Sequence, residues 1–252
     1  MSKNNRIIIS VITLSWDNIN YTKKFVNSIR KYTTLPYELI IVDNGSEEST
    51  QVWVQKNSDL SIIFPENQGF SKGFNEGVKI ASGKYIMMAN NDTEFPLNWD
   101  IQLINTIEKN CQAGIVSPVY TSGRKSALRV TSGDKILKVF PFRKYPSAVA
   151  FLMRRKEFFT IFNGYSEEYD IASGEDADLC FKVWHAGYDI IIDERVLIKH
   201  EGKVTSSTKL DDWRAHFRIN SRQFKKKWFL HYYFPYLVTL IYKLKNIKKL
   251  FR

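Results

Sequence analysis

Short, unbroken runs of β-branched and aliphatic residues recur along the first part of the chain, each followed by a segment with helical spacing. Ile7–Leu14 reads IIISVITL, Glu38–Val42 reads ELIIV and Tyr85–Ala89 reads YIMMA. None of these runs alternates apolar with polar residues. A strand that is apolar on both sides is buried on both faces, and this occurs in parallel sheets covered by helices. The segments between supply the helices: Asn20–Tyr32, with Phe25, Val26 and Ile29, ends ahead of Pro36, and Glu48–Lys56 and Gly73–Ala81 follow. Leu60–Phe64 adds another strand. This alternation predicts an α/β fold with a mainly parallel central sheet, whose ligands bind beyond the carboxyl ends of the strands.

The second half is less regular. Asn98–Lys109 and Asp176–Ala186 have helical patterns, the latter closed by Gly187. Gly114–Tyr120, Ala148–Arg154 and Tyr188–Ile192 read as strands, and Thr121–Tyr145 as a hairpin or mobile loop.

With 252 residues and 44% hydrophobic content, the chain can bury a core without covalent staples. Cys111 and Cys180 lack disulfide or metal-ligand spacing and are expected as buried apolar residues of a reducing compartment. The apolar run Ile7–Ile12 is shorter than a signal peptide's core. No stretch reaches the ~20 apolar residues of a spanning helix, so a cytoplasmic protein is expected.

The charge is unevenly placed. The net charge is +11, and residues 214–252 hold 11 basic and no acidic side chains, leaving 26 of each sign before them. Two domains are expected: a neutral one at 1–213 and a basic, aromatic-rich tail at 214–252. Trp228–Phe234 lies between cationic clusters, which suits a segment resting in the headgroups of an anionic membrane, on the inner face of the cytoplasmic membrane. A helical cap on the core is the other reading of this stretch. No nucleic-acid recognition motif accompanies the charge, so no nucleic-acid partner is expected.

The first strand turn is Ser15-Trp16-Asp17-Asn18, without the glycines of a dinucleotide fold, and no Walker-type loop is present. The glycine-rich, arginine-bearing first loop of a sugar nucleotidylyltransferase is missing too. A nucleotide must therefore be held by side chains and a metal. Asp43 and Asn44 end the second strand, where they can accept the imide proton of a uracil or thymine base or only form an Asx turn. Asn67, Gly69 and Asn75 lie in NQGFSKGFN, where the asparagines can bond a nucleotide or cap a helix. Asn90-Asn91-Asp92 follows the YIMMA strand; a carboxylate there can hold Mg²⁺ or Mn²⁺, or simply make a polar turn.

Taken together, LSWDN, IIVDNGS, ENQGFSKGFNEG, MMANNDTEF, GEDADLCFKVWHAGY and DERVLIKHEG resemble the family-2 glycosyltransferases, and among them the bacterial polysaccharide and rhamnosyltransferase-like members. The resemblance covers roughly Ile7 to Gly202. It implies a GT-A fold, a nucleotide-sugar donor (UDP or dTDP favoured), a divalent metal (Mg²⁺ or Mn²⁺), inversion at the anomeric carbon, and a glycan or lipid-linked acceptor in cell-surface polysaccharide assembly. It places Ser15, Trp16, Asp43 and Asn44 around base and ribose, and makes Asn90-Asn91-Asp92 the DxD-type motif with Asp92 on the metal. Asn91 departs from the family pattern, where an acid is frequent. His200 matches a histidine that meets the metal or diphosphate.

An inverting transferase needs a carboxylate to take the acceptor proton. Glu175, Asp176 and Asp178 open a helix, where acids also serve as dipole-complementing caps worth ~0.3–1 kcal/mol each. The family's general base matches Asp176, and Glu175 is counted with the donor-binding residues. Two other classes stay open: a sugar nucleotidyltransferase, and a non-catalytic, membrane-associated nucleotide-sugar-binding protein.

Overall fold

The computed structural model describes residues 7–122, 135–139, 141–142, 145–169, 173–202 and 213–240. In chain order the elements are β1 (Ile9–Ser15), α1 (Ile19–Tyr32), β2 (Tyr37–Asn44), α2 (Glu48–Asn57), β3 (Leu60–Phe64), α3 (Phe70–Ile80), β4 (Tyr85–Ala89) and β5 (Thr93–Glu94). There follow α4 (Trp99–Lys109), β6 (Ala113–Ser122), β7 (Ile136–Lys138), β8 (Ala150–Arg154), α5 (Arg155–Thr160), α6 (Glu175–His185), β9 (Asp189–His200), α7 (Trp213–Lys227) and α8 (Phe229–Tyr233).

The sheet runs in the order β3-β2-β1-β4-β8-β6-β9-β5, with β7 paired to β9. The long ladders β1–β2, β2–β3, β1–β4 and β6–β9 are parallel, while β8 is antiparallel to both β4 and β6. Most of the pairing is therefore parallel, as the apolar runs predict, in a mixed sheet. Because β8 is reversed, its N-terminal end lies at the same edge as the carboxyl ends of β2, β1 and β4.

An apolar core covers each face. On one side α1 and α4 bring Phe25, Val26, Ile29, Trp99 and Leu103 against alternate residues of β1, β2 and β4. On the other, α3 and α6 pack against the intervening residues. Helix α3 starts at Phe70, earlier than the glycine pattern suggests, and its glycines serve the sheet. A Cβ on Gly73 would stand 2.8 Å from Leu14, and one on Gly77 2.6 Å from Ile12. At Gly73 the neighbour is the movable end of Leu14, whereas at Gly77 a Cβ would also stand 3.2 Å from Val42, so α3 leaves little room there.

Two features depart from the sequence reading, and a third bears on the two readings of the tail. Strand β9 continues to His200 past its polar Asp193-Glu194-Arg195 stretch, because the register against β6 shifts between Pro118 and Val119. Two residues of such a bulge can turn a polar group inward: Asp193 is buried and accepts from Arg195 and from the Thr106 hydroxyl (2.6 Å). Cys180 is buried, but Cys111 is exposed in the α4–β6 turn. Finally, the described part of the expected tail is packed on the core, with Phe224, Trp228 and Val238 buried beside Phe181 and Trp184. Most of the expected Thr121–Tyr145 loop, and 241–252 of the tail, lie outside the described residues; within the loop, β7 pairs antiparallel with β9.

Candidate active site

The polar residues singled out in the sequence converge on one edge of the sheet. Ser15 and Asp43 are register partners at the ends of β1 and β2 and share the α1 face. Both are fully buried, and neither Ser15 Oγ nor Asp43 Oδ2 has a hydrogen-bond partner among the described residues. Leaving such an atom unpaired costs about 1–3 kcal/mol, which a ligand donor at this position would recover. Asp43 Oδ1 accepts the Ser46 N–H at 2.8 Å. Burial raises the Asp43 carboxyl above its ordinary value, while bonds from Ser46 pull it back. The two strand turns are locked together: Asp17 N–H donates to Ser46 Oγ (2.7 Å) and Glu47 N–H to Asp17 Oδ1 (3.0 Å). Trp16, between them, is half-buried.

The amides of the next motif hold the protein itself. Asn44 Nδ2 donates to Asn67 Oδ1 (2.7 Å) and to the Gly69 carbonyl (3.3 Å), and Asn44 Oδ1 accepts from Gln68 N–H (2.8 Å). Asn75 caps nothing; it donates to the Tyr165 carbonyl (3.0 Å) and Glu167 (2.8 Å), and accepts the Tyr165 N–H (2.9 Å). Asn44 and Asn67 thus shape the loop before α3, and Asn75 ties α3 to the segment before α6.

Asp92 and His200, far apart in sequence, meet because β5 and β9 pair with Thr93 opposite His200. His200 Nε2 lies 3.2 Å from Asp92 Oδ1, and Asp92 Oδ2 accepts the Gly202 N–H at 3.1 Å. His200 Nδ1 is buried and without a partner among the described residues, and its ring stands edge-on to Tyr120. Asn91 turns away to donate to the Thr22 hydroxyl (2.9 Å), fastening the motif to α1. Asn90 fixes the turn through its backbone, donating to the Val149 carbonyl (3.0 Å). Among the described residues no group of three or more His, Cys, Asp or Glu could hold a metal. A carboxylate and an imidazole in contact do fit a divalent ion that also takes oxygen ligands from a diphosphate.

Asp176 completes the row. Its Oδ2 accepts the Ala148 N–H (3.3 Å), two residues ahead of β8, and its Oδ1 the Ala177 N–H (2.9 Å). Asp43, Ser15, the 90–92 turn and Asp176 therefore follow the strand order β2, β1, β4, β8. Three strand spacings of about 4.8 Å give this row a span of about 14 Å. Burial raises Asp176, with backbone N–H groups opposing it. Burial and the adjacent Asp176 push Glu175 up to about 8, and Glu175 Oε2 is buried without a partner among the described residues. Glu175 also faces a small pocket shared with Gly69, Ser71 and Lys72.

Asp178 has a role that the sequence did not reveal. It is fully buried, and it accepts from Ser166 Oγ (2.6 Å), Tyr169 OH (3.1 Å) and Trp228 Nε1 (2.7 Å). Lys227 (2.9 Å) and Lys182 (3.3 Å) neutralise it. Burial alone would raise its carboxyl, but Lys182 and these hydrogen bonds outweigh that and hold it below the ordinary range. Asn220, also buried, donates to the Ser173 carbonyl (2.8 Å). Helix α7 is thereby bound to the loop and first turn that carry Glu175 and Asp176. A tryptophan beside lysines in an otherwise cationic segment was the available signal.

Residues 10–164 match Glycosyl transferase family 2. The chain belongs to this family. Its curated relatives include N-acetylgalactosaminyltransferase 4 of Drosophila melanogaster, 26% identical over 60% of this chain and 28% of the relative. An uncharacterised glycosyltransferase of Rickettsia conorii is 24% identical over 76% of this chain and 33% of that protein. The chain thus spans about a third or less of the length of these relatives. Among solved structures, GalNAc-T7 with UDP, GalNAc and Mn²⁺ superposes with a TM-score of 0.65 at 15% identity, over 95% of this chain and 59% of that one. S. aureus TarS 1–349 in complex with UDP-GlcNAc gives 0.66 at 16% identity, over 86% and 66%. At such identities the likeness is one of fold, and that fold is GT-A.

Proposed function

We propose that this family-2 protein is an inverting glycosyltransferase that moves a sugar from a nucleoside-diphosphate donor to an acceptor hydroxyl. The observation that carries this reading is the row of groups from Asp43 through Asp92 and His200 to Asp176 along one sheet edge. The unpaired Asp43 Oδ2 accepts the imide N–H of a pyrimidine base, and Ser15 and Trp16 line the ribose. Asn44, Asn67 and Gly69 shape the wall beside it, with Asn75 holding α3 in place. UDP is the favoured nucleotide, since both structural neighbours named above were solved with UDP or a UDP-sugar.

Asp92 and His200 would hold Mg²⁺ or Mn²⁺ in the place now taken by their mutual contact, with Asn90 and Asn91 fixing the turn. When bound, the ion balances the charge gathering on the departing diphosphate. Asp176 takes the acceptor's hydroxyl proton as that oxygen attacks the anomeric carbon. Protonated Glu175 donates a hydrogen bond to the donor sugar.

Residues 213–240 act with the 1–213 unit, and the finer reading of 214–252 is attachment to an anionic membrane surface. That location suits assembly of a cell-surface polysaccharide on the cytoplasmic face. Among the described residues no helix is long and apolar enough to cross a membrane.

The test is UDP release from UDP-GlcNAc and UDP-GalNAc, with and without Mn²⁺, by the protein and by Asp92→Ala. Metal-stimulated release by the parent, lost in the variant, is expected. Pyrophosphate release from a nucleoside triphosphate and a sugar 1-phosphate would replace this reading with nucleotidyl transfer.

A further inference from the structure

Tyr165 stands in the segment between α5 and α6, and Asn75 grips its backbone from both sides. Its N–H donates to Asn75 Oδ1 (2.9 Å) and its carbonyl accepts from Asn75 Nδ2 (3.0 Å). Gly164, just before it, has φ +57°, and a Cβ there would stand 2.9 Å from the same Oδ1, so this approach requires glycine. Phe70, Phe74 and Phe158 enclose the ring, with centroids 5.4 to 5.9 Å away. The hydroxyl lies on the axis about which the ring turns, so this cage holds it in one place.

That hydroxyl is buried and has no hydrogen-bond partner among the described residues. A phenylalanine would fill the same cage without stranding a polar atom, so the oxygen as it stands weakens the fold. The acids near enough to act on it are Asp176, Cys180 and Glu175; burial first, and then these, hold its proton on, well above a phenol's ordinary value. It is therefore a donor throughout the neutral range. Asp176 has room for one: among the described residues it accepts from the Ala148 and Ala177 N–H groups, and a carboxylate offers about four lone-pair sites. The other groups facing Asp176 are Glu175 and Cys180 on its own helix, Tyr145 ahead of β8, and Lys225 of α7 across the groove that both line. Tyr145 is 44% exposed, so water can take the place of its hydroxyl. A joint for adjustment is also present. Ser173 and Gly174, just before α6, have φ of 107° and 104°, which for the serine is a strained conformation.

The geometry points to Tyr165 as the positioning residue of the base: when Asp176 ionises, the Tyr165 hydroxyl closes on its carboxylate and donates to it. This rests on the reading of Asp176 as the base. The bond steadies the charged form, which is the form that receives the acceptor's proton, and Asn75 serves the reaction by fixing Tyr165.

The test is ¹³C NMR of the full chain labelled at its aspartate carboxyls, titrated without donor or metal, with the Asp176 signal identified by its loss in Asp176→Asn. Tyr165→Phe keeps the ring and its cage. The Asp176 midpoint should rise by about one pH unit in this variant, because a donor to the charged form is gone. It should stay in place in Tyr145→Phe. Melting gives a second reading. Below the parent's midpoint, Tyr165→Phe should melt at or above the parent, since the hydroxyl has no partner there to lose. As pH rises between the two midpoints the variant should fall behind, and by no more above them. An unmoved midpoint overturns the proposal, as does a melting deficit that is the same at every pH, which would mark a merely structural hydroxyl. An equal shift in Tyr145→Phe overturns it too. Where the midpoint moves, the acid limb of metal-stimulated UDP release from UDP-GlcNAc should move with it. A limb that stays put would leave the hydrogen bond standing and remove Asp176 from the base's role.

Discussion

Replacing Asp178 by alanine removes one carboxylate and strands several partners. Trp228 Nε1 and Tyr169 OH lose their buried acceptor, and Lys182, 13% exposed at its side chain, loses its counter-charge. Lys227 is about one-third exposed and keeps Glu168 at 2.6 Å, so its share is small. Breaking a buried pair from one side costs about 3–5 kcal/mol, because the remaining charge stays desolvated. At about 2.1 cal/mol/K per residue, a chain of this length changes melting temperature by about 2 °C per kcal/mol, so Asp178→Ala should melt about 6–10 °C lower. The pH dependence has a definite sign. Asp178 is held below its unfolded value, so its stabilisation is present above the ordinary carboxylate range and is lost as pH falls through the folded value. The deficit of the variant should therefore shrink in acid. Thermal unfolding at neutral and acidic pH measures both effects, and a cycle with Trp228→Phe should show coupling of about 0.5–3 kcal/mol. A melting loss below about 2 °C, or additive single and double variants, would refute the idea that this carboxylate fastens α7 to the core.

Asp176→Asn, which keeps the shape but accepts no proton, should lower transfer by about 10²–10⁴-fold with UDP affinity unchanged; a larger loss in Glu175→Gln, with the fold intact, would exchange the two roles. Glu175, with its carboxyl raised to about 8, should lower stability progressively as pH rises from the ordinary carboxylate range to about 8 and no further above it, with activity falling as the proton leaves near 8; Glu175→Gln should remove both dependences in melting scans and pH–rate profiles. Leu230→Asp, on the exposed face of α8, should reduce co-sedimentation with anionic vesicles while leaving melting unchanged, and the parent's sedimentation should weaken with salt. Unaltered sedimentation of the variant would dismiss that face as the contact.

How far the sequence went depends on the range of the interaction. The β–α alternation up to β4 was legible because each element declares itself by composition within a few residues. The row Ser15, Asp43, Asp92 was legible for the same reason, as polar residues placed where apolar strands stop. His200 could be nominated from its motif, but its contact with Asp92 depends on β5, a two-residue strand with no compositional signal. The Asp193–Arg195 stretch ended a strand in the sequence reading because a buried ion pair and a bulge look like a turn there. Asn75, read as a nucleotide ligand or a helix cap, and Asp178, read as a cap, have tertiary partners that the sequence did not show, for a related reason. Helix starts favour such residues locally, and only the tertiary partners, Tyr165 for one and Trp228 for the other, distinguish the two uses. The helices after residue 213 were read from their charge and interleaved aromatic residues, which left a membrane segment and a cap on the core both open, whereas their buried side, Asn220, Phe224 and Trp228, shows at helical spacing only once the core surface is known.

The fastening at Asp178 also sets an order in time. A chain made from its N-terminus can pair β1, β2, β3 and β4 early, since their ladders join near neighbours in the sequence. The carboxylate, however, draws its partners from Ser166 through Trp228. Until Trp228 has been synthesised, the helix bearing Glu175 and Asp176 carries a charge with its compensation incomplete. The first turn of α6 can thus reach its final packing only after Trp228 has been made, later than the sheet edge where β1, β2 and β4 end.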